Sequence, residues 1–150
     1  MRVVVQRVRR AAVDVEGRRI AEIEHGLLLL VGIAPEDGTI DLARLARKIT
    51  TLRVFEDEEG KMNRSVLDSG GEILAVSQFT LYGDTRKGRR PSFVGAAPPD
   101  VAQPLFDKLV TAIEEEGVPI QTGRFGAKMA VELVNSGPVT LILEVEPPPS

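Results

Sequence analysis

Three short segments carry residue types and spacings from which chemistry could be built. Ser77-Gln78-Phe79-Thr80-Leu81 closes an apolar run with polar side chains, just before a Gly-rich stretch. A strand end is a rigid mount from which amides and hydroxyls can be aimed at a ligand. The same residues also fit a strand with one solvent-facing edge, because alternation supplies polar positions anyway. Asn135-Ser136-Gly137-Pro138-Val139-Thr140 reads either as a turn between two strands or as a functional X-Pro bond. A cis bond would reorient the preceding carbonyl, and two parallel carbonyls would accept from a substrate ammonium group. Arg86-Lys87-Gly88-Arg89-Arg90-Pro91 puts four cations in five residues on a chain of net charge −3. That concentration suits a local phosphate site, and equally a merely soluble loop.

Much familiar chemistry is excluded. With no cysteine there is no thiolate nucleophile, disulfide, zinc knuckle or iron–sulfur cluster. The single histidine, His25, lies between Glu24 and Gly26 and reads as a solvated turn residue. No nucleophile elbow, Walker loop, H-E-x-x-H pair or dinucleotide fingerprint occurs. Asp57, Glu58 and Glu59 read as a solvated turn, since their spacing matches no calcium loop. No metal site and no cofactor are expected.

The elements that must position these segments follow from periodicity. Val3, Val4, Val5 and Val8 form a β-branched strand, and Val13 to Ile23 reads as a hairpin around Glu16-Gly17-Arg18. Leu27 to Ile33 is a continuous apolar strand, covered on both faces. Leu42, Leu45, Ala46, Ile49 and Leu52 mark a helix, with Thr39 or Asp37 as its cap. Leu52 to Phe55 reads as a short strand, and Glu72 to Phe79 as another. Tyr82 to Pro99 is a long functional loop. A second helix spans Asp100 to Glu116, with Pro104 able to distort its start and Gly117 ending it. Lys128 to Val134 and Val139 to Val145 are two strands around the Gly-Pro turn. The sum is a mixed α/β single domain: a largely antiparallel sheet, curled or barrel-like, with two main helices.

The domain is expected over residues 1–146, with Pro147 to Ser150 as a flexible tail. At 150 residues the chain can bury about 68–70% of its unfolded surface. The longest apolar run, Leu27 to Val31, falls far short of the ~20 residues of a membrane span. No signal-peptide layout opens the chain, and the missing cysteine fits a reducing compartment. No membrane partner is expected, and a cytoplasmic location is.

Taken in order, these segments resemble one family. SQFTLYGDTRKGRRPSF (Ser77 to Phe93), GRFGAKM (Gly123 to Met129) and NSGPVT (Asn135 to Thr140) are similar to the signatures of the D-aminoacyl-tRNA deacylases. MRVVVQRV and RVFEDEEGKMN (Arg53 to Asn63) resemble that family too, so only the Pro147 to Ser150 tail falls outside. One departure shows: the family's third motif carries an acidic residue where Ser136 stands, which bears on the local turn.

The resemblance implies hydrolysis of the ester joining a D-amino acid to the 3′ end of tRNA, and of glycine mischarged on alanine tRNA. It implies a homodimer in which the SQFT segment of one subunit meets the Gly-Pro of the other. Gly137 and Pro138, joined by a cis bond, would form a carbonyl clamp that rejects L side chains by clash. Backbone amides near Phe79 and Thr80 would bind the oxyanion, while Ser77 and Gln78 hold the ester and terminal ribose. The family's proposed base is the 2′-hydroxyl of the terminal adenosine; Thr80 as nucleophile stays open. Met129 and Phe125 either line the adenine or amino-acid pocket or pack the core. Arg86, Lys87, Arg89 and Arg90 would meet acceptor-stem phosphates. No DNA partner is expected. The alternatives are a non-catalytic nucleic-acid-binding protein and an editing module of a tRNA synthetase, which the short chain disfavours.

Overall fold

The computed structural model describes residues 1–149. Strand β1 (Arg2–Val15) is the spine of the sheet. It turns at Glu16-Gly17, both with positive φ, into β2 (Arg18–Ile23), the left-handed pair that a tight hairpin requires. β1 also pairs antiparallel with β3 (Gly26–Gly32) and, along its other edge, with β8 (Ala130–Glu144). β3 pairs parallel with β6 (Glu72–Ser77), and β6 with β7 (Ile120–Thr122). A small hairpin, β4 (Phe55–Glu56) with β5 (Met62–Arg64), stands apart.

The expected curl is present. The Gln121 side chain on β7 accepts from Glu22 N–H at 3.0 Å and donates to Glu22 C=O at 2.7 Å, which stitches β7 to β2 and nearly closes the sheet. Two apolar clusters fill the two faces. On the outside, α1 (Leu42–Thr51) and α3 (Pro99–Glu115) bury Leu45, Ile49, Leu105 and Leu109 against Val3, Val5, Leu27, Leu29 and Ile73. Inside the curl, Val8, Val13, Leu28, Leu74 and Val76 pack together. Leu27 and Leu28 thus point into different clusters, as a strand covered on both faces demands. Each such fully buried side chain contributes about 1.5–3 kcal/mol by leaving water.

Several boundaries differ from the sequence reading, each for a local reason. The cap of α1 is Asp41, which accepts from Arg44 N–H at 3.1 Å, rather than Thr39 or Asp37. Asp37 is buried and committed elsewhere, to Ala34 N–H at 2.7 Å and to the Met1 ammonium at 2.9 Å. The short strand near Leu52 begins only at Phe55. A third helix, α2 (Val66–Ser69), was not foreseen; its capping box joins Ser65 and Asp68 reciprocally. Pro104 leaves α3 continuous. The two strands foreseen around Gly137-Pro138 are the single strand β8. Its register to β1 slips where Gln6 faces Thr140 and Val8 faces Asn135, so Ser136–Val139 bulge out opposite Arg7. Pro147 to Pro149 have no helix or strand, and Ser150, also assigned to the tail, lies outside the described residues.

Candidate active site

The Ser77-Gln78-Phe79-Thr80 segment does lie at a strand end, but the strand stops at Ser77 rather than Phe79. Gln78 N–H makes the last bond of the ladder, to Val31 C=O at 2.8 Å. Phe79–Tyr82 then form a single 3-10 turn. Gly32 makes room for it: a Cβ there would stand 2.9 Å from Leu81 Cβ and 3.2 Å from Gln78 O. The Phe79 and Thr80 amides open this turn and have no acceptor within it. Thr80 Oγ1 takes a 2.7 Å bond from Gln78 Nε2. An amide cannot accept a proton, so Thr80 has no base at its hydroxyl.

These residues line a cavity of about 600 Å³, with Phe93, Ala97, Pro98, Phe125, Met129 and Val131 among its other walls. That size is ordinary for a small-molecule site. Among the described residues, no aspartate, glutamate, histidine, lysine or arginine lines it. Phe125 and Met129 both line the cavity and pack on the apolar clusters. His25 lies elsewhere, with Nε2 3.1 Å from Ser69 Oγ and its ring edge-on to Phe55, as the structural reading of a turn histidine has it. The Asp57 carboxylate is consumed by its own turn, accepting from Glu59 N–H, Lys61 N–H and Asn63 Nδ2. The Asn63 bond, first among these, holds it below the usual carboxylate range. Among the described residues no cluster of metal-ligating side chains occurs.

The turn is tethered by a residue that the sequence did not single out. Arg2 Nη1 donates to Leu81 C=O at 2.9 Å, its guanidinium lies 4.6 Å from the Tyr82 ring centre, and Nε reaches Glu144 at 3.2 Å. Burial, then the nearby Asp37 charge, push the Tyr82 phenol up to about 12.

Gly137 and Pro138 are exposed on the β8 bulge, joined by a cis bond, and neither lines the cavity of the same chain. The bulge is stapled by side chains. Asn135 accepts from Val139 N–H at 2.8 Å and donates to Thr140 Oγ1 at 2.9 Å. Behind it stands Arg7, 8% exposed, a second residue not foreseen. Its Nε donates to Ser136 C=O at 3.0 Å and Nη1 to Val54 C=O at 2.9 Å, with Glu56 at 3.8 Å. A Cβ on Gly137, whose φ is +124°, would stand 2.8 Å from Arg7 Nη2, so glycine suits both the backbone and the guanidinium. The signal was available in outline: Val3, Val5 and Arg7 alternate onto one buried face.

The basic segment is a closed loop. Asp84 and Ser92 exchange backbone bonds of 2.7 and 2.9 Å across its neck. Arg86 folds back onto Asp84 at 2.7 Å and holds that carboxyl at about 2. Lys87, Arg89 and Arg90 remain exposed at the tip. So three of the four cations, not all four, are displayed without an acid partner inside the loop.

The comparisons agree with one another. The family model described as D-Tyr-tRNA(Tyr) deacylase matches residues 4–144. A Brevibacillus brevis protein named D-aminoacyl-tRNA deacylase is 60% identical over 144 residues, spanning 96% of this chain and 99% of that one. A Thermosipho africanus protein of the same name is 55% identical, spanning 96% and 97%. Among solved structures, the c-Myc DNA unwinding element binding protein superposes with a TM-score of 0.91 at 44% identity, covering 97% of this chain and 99% of that one. A probable eukaryotic D-amino acid tRNA deacylase superposes at 0.80 with 17% identity, covering 96% and 98%, which speaks to the fold. With a family model spanning residues 4–144 and relatives of 55–60% identity along almost their whole length, the chain belongs to the D-Tyr-tRNA(Tyr) deacylase family.

Proposed function

We propose that the protein hydrolyses the ester of D-aminoacyl-tRNA, releasing the D-amino acid and free tRNA. The observation that carries this is the cavity at the Ser77–Thr80 strand end, walled by apolar residues with Ser77, Gln78 and Thr80 and, among the described residues, no ionisable side chain. An aminoacyl ester is already activated, so orientation and oxyanion stabilisation suffice. The Phe79 and Thr80 amides bind the oxyanion as water adds to the carbonyl carbon. Ser77 and Gln78 hold the ester and terminal ribose, and Phe125 and Met129 wall the pocket. The 2′-hydroxyl of the terminal adenosine takes the part of base, and the 3′-oxygen leaves with a proton. Lys87, Arg89 and Arg90 position acceptor-stem phosphates, with Arg86 bracing the loop through Asp84.

Chirality belongs to a second copy of the chain. Gly137 and Pro138 stand outside their own chain's cavity, and β8 leaves Leu141 38% and Ile142 67% exposed. A homodimer that covers this strand brings the Gly-Pro carbonyls to the partner's cavity, where they grip the substrate ammonium and leave no space for an L side chain. Glycine passes the same test, which extends the substrates to glycine mischarged on alanine tRNA. The substrate sets the place of work in the cytoplasm, and no helix among the described residues is long and apolar enough to cross a membrane. The domain spans residues 1–146, with the Pro-rich tail outside it.

Incubation with D-tyrosyl-tRNA and L-tyrosyl-tRNA tests the reading: the D ester is lost at least about 100-fold faster, a discrimination of about 2.7 kcal/mol. Equal rates would contradict it. A second reading, nucleic-acid binding without catalysis, takes support from the name of the 44% identical relative and from the basic loop. Binding without ester loss in the same incubation would select it.

A further inference from the structure

Two aromatic rings stand at the mouth of the cavity where water should disfavour them. Phe79 is 56% exposed and Phe93 39%, and both line the cavity. Their ring centres are 5.1 Å apart at 72°, an edge-to-face pair. The pair is held rather than loose. Phe79 opens the 3-10 turn, and Phe93 follows the Asp84–Ser92 bridge directly. A Cβ on Gly83 would stand 3.1 Å from the Phe93 ring, so the ring packs closely against that glycine. Phe93 is also only three residues from Arg90, within about 10 Å of extended chain, so the exposed cations of the loop start close to the rings.

Exposed aromatic faces beside unpaired cations are the pattern by which proteins hold single-stranded nucleic acid: rings stack bases and cations meet the backbone. The cavity behind the rim takes the terminal aminoacyl-adenosine on the reading given above, on which this inference rests. The next nucleotide back along the strand must then cross the rim to leave. We propose that Phe93, with Phe79 at its edge, is a stacking subsite for the base immediately preceding the terminal adenosine, its phosphate facing Arg89 and Arg90. Stacking reads no base edge, so the subsite takes any base and selects for an unpaired 3′ strand.

The test uses a labelled RNA hairpin with a single-stranded four-nucleotide 3′ overhang ending in adenosine, with the penultimate base either present or removed as an abasic site. Binding is followed by anisotropy. For the native protein, the abasic probe should bind about 5- to 150-fold more weakly, the range for one stacked base. Phe93→Ala should lose a similar factor for the intact probe and nothing further for the abasic one, while Phe93→Tyr should restore the difference. Equal binding of the two probes by the native protein, or losses that simply multiply in Phe93→Ala, would overturn the proposal. So would a change of assembly mass in Phe93→Ala, which would assign the rim to a second copy of the chain. Because binding is read without turnover, the expected pattern with no D-ester hydrolysis would remove the activity and keep the subsite. D-ester hydrolysis with indifference to the penultimate base would do the reverse.

Discussion

Arg7 shows how one buried cation can organise a site it never lines. It lies under the β8 bulge and ties the Ser136 carbonyl to the Val54 carbonyl across two elements. Removing it strands the carbonyl of buried Val54, at about 1–3 kcal/mol, whereas the half-exposed Ser136 carbonyl can turn to water. Arg7→Ala should therefore lower unfolding stability by about 1–3 kcal/mol in urea titration and slow D-ester hydrolysis at least about 10-fold. Arg7→Lys keeps the charge but not the planar fork, and should recover stability better than rate. An Arg7→Ala protein with native stability and rate would remove Arg7 from the account. Gln78 makes a contrasting point at the same scale. Its 2.7 Å bond to Thr80 occupies the hydroxyl with an amide that cannot act as base, which favours Thr80 as an orienting group over Thr80 as nucleophile.

At the scale of elements, β8 carries both the bulge and exposed large apolar side chains. Its Leu141 and Ile142 are exposed although the 15-residue strand pairs with β1 on both sides of the bulge. Exposed apolar surface of this kind marks a contact surface. Ile142→Glu should halve the mass seen by light scattering and abolish D-ester hydrolysis in parallel, while the variant stays folded by circular dichroism. A native protein already monomeric, or a monomeric variant with full activity, would contradict the shared site. The same strand shows what the sequence could and could not disclose. Periodicity places the helix from Leu42, the helix ending at Gly117 and the doubly covered strand at Leu27 within a residue or two, because local pattern decides them. At Ser136–Val139 the sequence offers a turn beside the functional reading, because Gly-Pro is strong turn chemistry on its own. What overrides it is not local: β1 lies alongside and runs past the bulge, and Asn135, Thr140 and Arg7 hold it from both sides. Asp37 is one of two cap candidates in the sequence for a similar reason, since its partner, the Met1 ammonium, lies 36 positions away in the chain. The cavity itself joins residues from Ile33 to Val131, a grouping that only the sheet's curl brings about.

For the whole molecule, the division of labour follows from what the cavity lacks. The chain is acidic overall, yet Lys87, Arg89 and Arg90 gather at one loop tip, and among the described residues the cavity wall has no ionisable group at all. On the proposed reading the protein supplies a shaped pocket, backbone donors and a stacking rim, and the substrate supplies its own proton acceptor. The direct test is hydrolysis of D-tyrosyl-tRNA whose terminal adenosine lacks the 2′-hydroxyl, compared with the ribose form under single-turnover conditions. The account predicts that rate falls at least about 100-fold, at the modest end of what a positioned acid–base group provides, with binding of the tRNA retained. Hydrolysis of the deoxy substrate at the ribose rate would show that the protein carries the base, and would contradict it.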